Sequence, residues 1–186
     1  VNFLSNPLIG GFFSVSIVIP YWLIITYALK YSDSDNGQQI WCPVGKCLAP
    51  VILYASCLVA LILIFYSFGH PNINEMVGNT LKTLLAANIK LINTESFNLL
   101  TSLFPGMVAA IWIVMLTVNC VLAQKILIRY QLAMRPTPIY KNLTVPEWVY
   151  WSFIVAFLVS FISSNNIEYI GQNLTVIFAV PVLYAG

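Results

Sequence analysis

Few residues in this chain belong to types that do chemistry, and their spacing restricts them further. His70 is the single histidine, so no pair of imidazoles can share a metal ion. Asp33-Ser34-Asp35 places two carboxylates one residue apart, where they could chelate a divalent cation. Inside the turn-rich run Ser32 to Gly37, a solvated loop is the simpler reading. Cys42 and Cys47 have the spacing of a clip, but the charge pattern described below places them at the cytoplasmic face, where thiols stay reduced. The sequence contains no Gly-x-Ser-x-Gly elbow, no phosphate-binding glycine loop and no His-Glu-x-x-His pair. No enzyme activity, cofactor or metal is expected.

Polar residues within apolar segments are the remaining candidates, because a membrane makes each of them costly. Asn119, flanked by Val118 and Cys120, stands first. An interhelical hydrogen bond is its preferred role, worth about 0.6 to 2 kcal/mol. If a ligand is bound, Asn119 and Trp112 are the candidate contacts. Glu168 and Gln172 share a helix face and read as water-facing entry residues. Trp112, Trp148, Trp151, Tyr150 and Tyr169 fit interfacial belts. Cys57 and Cys120 should pack as small apolar side chains. Gly10 with Ser14, and Ser56 with Ala60, form small-x-x-x-small pairs that permit close helix contact. The sequons at Asn142 and Asn173 read as chance matches, one in an inner loop and one beside a span.

The elements that must position these residues are set by composition. Hydrophobic residues make up 60% of the 186, charged ones only 8%, and the mean hydropathy is +0.86, against about 25% charged for a soluble domain. A net charge of +2 is too small for a nucleic-acid footprint. The expected fold is an all-α polytopic transmembrane helix bundle in one membrane domain. Spans of about 20 residues are needed to cross roughly 30 Å of hydrocarbon, and five are expected at 8–29, 48–68, 107–128, 146–163 and 167–186. The second should carry Pro50 in its first turn, and the fourth opens with Pro146 and Glu147. Pro20 should kink the first span unless a neighbour takes up the carbonyl it frees. A chain starting at Val1 and ending inside an apolar run is expected to continue at both ends.

The connection 69–106 differs from the others. Ile73, Val77, Leu81, Leu84, Leu85, Ile89 and Ile92 recur at helical spacing, while Glu75, Asn79, Lys82 and Lys90 take other faces. This predicts an amphipathic helix, either capping the bundle or lying in the interface, before a short apolar patch from Phe97 to Phe104. The connections at 30–47 and 129–145, with Lys125, hold Lys30, Lys46, Arg129, Arg135 and Lys141. The other two hold only Lys82 and Lys90. Six cations against two place the first pair inside the cell, with Lys125, Arg129 and Lys141 as topology markers and the amphipathic helix outside.

Two arrangements carry a family resemblance. Trp41-Cys42-Pro43-Val44-Gly45 opens a long apolar helix; further on, Arg135-Pro136-Thr137-Pro138 is followed by Val145-Pro146-Glu147-Trp148. This order resembles the YybS-like family of bacterial polytopic inner-membrane proteins, with Cys42 in place of an aromatic and Val145 in place of leucine. The resemblance makes Trp41, Pro43, Gly45, Arg135, Pro136, Pro138, Pro146 and Trp148 motif positions and implies a bacterial inner-membrane location. It also implies an architecture similar to the substrate-binding S components of energy-coupling-factor transporters. Two functions follow as expectations. One is a small-molecule-binding subunit working with other membrane subunits. The other is a structural or assembly protein of the envelope that uses small-residue seams and its basic arm on lipid or cytoplasmic partners.

Overall fold

The computed structural model of the chain describes residues 7–33, 39–69, 72–84, 93–136, 143–162 and 165–185. Ser34, Asp35, His70, Leu85, Ile89, Lys90, Ile92, Pro138, Lys141 and Asn142 lie outside the described residues. The chain forms two compact units, Val1–Tyr54 with Met115–Pro146, and Ala55–Val114 with Glu147–Tyr184.

In the first unit, α1 (Pro7–Phe13), a π-helical segment (Ser14–Val18) and α2 (Ile19–Ala28) follow without a break. Pro20 dictates this geometry. The Ile19 N–H reaches back five residues to the Ser14 carbonyl, and the next bond in that register would need an N–H at Pro20, which has none. The Val15 carbonyl left over accepts the Tyr54 hydroxyl at 2.8 Å, so the expected neighbour exists. Gly10, by contrast, has nothing within 4 Å of where a Cβ would sit, and Ser14 donates to the Gly10 carbonyl of its own helix. This small pair therefore makes no seam among the described residues.

The connection after α2 holds an antiparallel strand pair, β1 (Tyr31–Asp33) with β2 (Gln39–Trp41), which pairs Tyr31 with Trp41 and sets their rings 5.4 Å apart, tilted at 49°. The all-α expectation thus gains two short strands. Tyr31, Ile40 and Trp41 favour a pleated surface, a preference that the polar turn residues between them mask. Next comes α3 (Val44–Gly69), opened by the Cys47 N–H bonding the Pro43 carbonyl at 3.1 Å. It starts four residues before the expected Leu48. Pro50 therefore sits in the helix interior rather than its first turn.

The second unit holds part of α3 with α4 (Ile73–Leu84), the first part of α5 (Thr94–Arg129), α6 (Glu147–Val159) and α7 (Asn165–Ala185). Leu63, Ile73 and Tyr169 form one buried cluster in it, packed by Val59, Val77 and Ile170. The amphipathic helix is present as α4, but the apolar patch after it is no separate element. α5 begins at Thr94, passes through Pro105 and runs for 36 residues, about 54 Å of rise. α6 departs from expectation in the other direction. Its 13 residues rise only about 20 Å, short of the roughly 30 Å that the span 146–163 would need.

Among the described residues, four helices are long and apolar enough to cross a membrane: Gly10–Ala28, Val44–Phe68, Thr94–Arg129 and Asn166–Ala185. Phe12, Trp22, Phe65, Phe68 and Leu183 are largely exposed on them, a distribution that lipid tolerates and water does not. The protein has a polytopic helical membrane fold.

Candidate functional site

A polar cleft lies in the second unit, where α4 meets the start of α5. Both helices are capped for it. Asn72 accepts the Glu75 N–H on its Oδ1 at 3.3 Å, and Asn93 accepts that of Glu95 at 3.4 Å, each satisfying an orphan donor of a first turn. The Ile73 N–H also donates to Asn166 Oδ1 at 3.3 Å, tying α4 to the beginning of α7. With Ile73 and Leu81 buried, Asn72, Glu75, Asn79 and Lys82 fall on another stripe, at spacings of three, four and three. They border a cleft of about 290 Å³, completed by Asn74, Gly78, Phe97, Asn98 and Thr101. Gly78 sets its depth, since a Cβ there would stand 3.2 Å from Thr101 Cγ2. The Lys82 ammonium lies 5.7 Å from the centre of the Phe97 ring, within cation–π range.

Below Thr101 the helix ladder is broken and rebuilt. Pro105 lacks the N–H that would bond the Thr101 carbonyl, and the Tyr169 hydroxyl donates to that carbonyl at 3.0 Å instead. One residue on, the Gly106 N–H donates to Asn173 Oδ1 at 2.7 Å, while Asn173 Nδ2 donates to the Ser102 carbonyl at 2.9 Å. A side-chain carboxamide is thus inserted into a main-chain bond. Asn173 Nδ2 also donates to the Tyr169 carbonyl at 2.8 Å, and the residue is fully buried. The approach requires glycine, because a Cβ on residue 106 would stand 2.6 Å from the Asn173 carbonyl oxygen. α5 can therefore pass through Pro105 because α7 supplies the missing partners.

The residues singled out from sequence are distributed differently. Asn119 donates through Nδ2 to the Tyr21 hydroxyl at 3.1 Å, the interhelical bond preferred for it. Trp112 is half-buried two turns earlier on α5, and neither residue lines the cleft. Tyr169 is not part of an interfacial belt, being buried beneath the cleft by the carbonyl that Pro105 frees. Glu168 accepts from Gln172 on the shared face at 3.0 Å. In the first unit Arg135 is far more than a charge marker. Its guanidinium donates to the Ala28 carbonyl at 3.2 Å, the Cys42 carbonyl at 2.9 Å and Cys47 Sγ at 3.8 Å. These bonds join the first and third connections at one place and satisfy the C-terminal end of α2.

Gly45, buried at the entry to α3, lies so close to the Thr144 carbonyl that a Cβ would overlap it. Trp41 and Pro146 are half-buried, while Pro43, Lys125, Arg129, Pro136 and Trp148 are exposed. All four cysteines are free. Among the described residues, no three His, Cys, Asp or Glu side chains cluster as a metal site would require.

A family model described as predicted membrane protein (DUF2232) matches residues 8–186. The chain belongs to that family. The DUF2232 match takes in the cleft, the Pro105 repair and the Arg135 clasp alike. Neither a curated protein nor a solved structure matches the chain.

The cleft residues escaped the sequence reading for a specific reason. Glu75, Asn79 and Lys82 read from sequence as the remaining faces of an amphipathic helix, yet with Asn72 their spacing of three, four and three is as periodic as the apolar stripe. Asn173 carries no signal of its own, because its sequon, beside a span, reads as a chance match. A carboxamide four residues after a tyrosine on one helix, with a Pro-Gly pair on another, was the available signal.

Proposed function

We propose that this DUF2232 protein is the small-molecule-binding subunit of a membrane transport system, with the cleft between α4 and the start of α5 as the binding place. The observation that carries this reading is the cleft itself: about 290 Å³, close to the roughly 300 Å³ lower end for small-ligand sites. It is lined by carboxamides and two opposite charges in a chain that is only 8% charged. The YybS-like motif order and the likeness to S components favour the same reading. So does the charge count, which puts the connections at 30–47 and 129–145 in the cytoplasm and the cleft on the outer face of a bacterial inner membrane. No catalysis or cofactor enters this function.

Extraction in mild detergent followed by mass spectrometry tests it. Recovery of an ATPase and a transmembrane coupling subunit is expected. Recovery of division or envelope-assembly factors alone would instead support a structural protein of the envelope, a reading favoured by the open surface around Gly10 and Gly11, which have nothing within 4 Å of a Cβ.

A further inference from the structure

We infer that the cleft takes a short zwitterionic peptide, of two or three residues, with its ammonium group toward Glu75 and its carboxylate toward Lys82. The inference rests on the cleft being a binding site and names the class of its ligand. Glu75 lies in the first turn of α4 and Lys82 in its last, seven residues apart on one stripe and so about 10.5 Å along the axis. An α-amino acid, with both charges on one carbon, cannot meet poles so far separated. A molecule with its charges at opposite ends can.

The remaining chemistry matches what lies between those ends. Asn74, Asn79 and Asn98 line the same cleft, and a carboxamide is both donor and acceptor, as a peptide group is. Asn72 has its Oδ1 engaged with the Glu75 N–H. The Lys82 end is favourable to a carboxylate twice over, because the Phe97 ring that Lys82 overlies belongs to the second turn of α5, near the positive end of that helix dipole. Glu95 in the first turn is exposed and does not line the cleft. The small volume and the Gly78–Thr101 floor leave room for modest side chains only.

Titration of the purified full chain in detergent micelles with Ala-Ala, N-acetyl-Ala-Ala-amide and glucose, followed by calorimetry, tests this. Ala-Ala is expected to bind, and the blocked peptide and glucose at least tenfold more weakly. Glu75→Gln and Lys82→Met should each weaken Ala-Ala at least tenfold, with only the small drop in thermal unfolding that loss of a first-turn carboxylate or of the Phe97 contact brings. Equal binding of the blocked peptide, or binding of glucose alone, would overturn the peptide class while leaving a small-molecule cleft in place. No heat from any of the three, together with no shift in thermal unfolding on adding a small-molecule extract of the producing cells, would overturn both.

Discussion

A carboxamide that replaces a peptide group inside a helix has to offer a donor and an acceptor at the same spacing, and Asn173 does so between Gly106 and Ser102. Tyr169, one turn earlier, supplies the single donor that the Thr101 carbonyl lacks. The two residues answer two consecutive defects of one proline. Tyr169→Phe should cost about 1 to 2 kcal/mol, the penalty for a buried carbonyl without a partner. Pro105→Ala restores an N–H at that place and should cancel most of the loss. A double-mutant cycle read by thermal unfolding in detergent should therefore give a coupling of about 0.5 kcal/mol or more, and additive effects would show that Tyr169 does not serve the proline.

Arg135 makes a parallel case in the first unit, where one fork reaches two carbonyls and a thiol. Arg135→Lys keeps the charge but loses the fork. It should lower the unfolding temperature measurably without changing membrane topology, whereas a purely topological residue would show no stability loss.

At the scale of elements, the strongest signals were legible and the compromises were not. Long apolar runs placed α3, α5 and α7, and periodic Ile73, Val77 and Leu81 placed α4. The expected patch 97–104 and span 107–128 are one helix, because the rule that proline ends a helix holds only where nothing else supplies the lost bonds, and α7 supplies them from more than 60 residues away. The strand pair was hidden by the polar residues between its strands. The short α6 lies between a helix entry at Glu147 and a turn at Ser160, and the Val159–Ser160 backbone packs where a Cβ on Gly171 would stand 2.6 Å from the Ser160 nitrogen.

α5 ends in a Schellman motif that no glycine announced. The Leu132 N–H bonds the Leu127 carbonyl and the Gln131 N–H that of Ile128, with Gln131 at φ 55°. A glutamine pays for a left-handed backbone that glycine adopts freely. Gln131→Gly should raise stability by about 0.5 to 1 kcal/mol, measured by thermal unfolding, and a loss of stability would contradict the cap.

At the scale of the whole molecule, Arg135 ties the third connection to the first, and the Ile73–Asn166 bond ties α4 to the start of α7. We propose, from six cations against two, that the first and third connections face the cytoplasm. Cysteines introduced at Ser34 and Asn72 and labelled from outside intact cells should react at Asn72 and not at Ser34; the reverse would invert the topology.

The candidate site was legible only as an amphipathic helix that would cap the bundle or lie in the interface, because a cleft is a relation between α4 and α5 that neither stretch encodes alone. Native mass spectrometry of the protein released from membranes tests its purpose most directly. The wild type should carry a bound small molecule that Asn79→Trp, which fills the cleft, removes without loss of folding. An empty wild type, or the same adduct retained by Asn79→Trp, would contradict a binding role for the cleft.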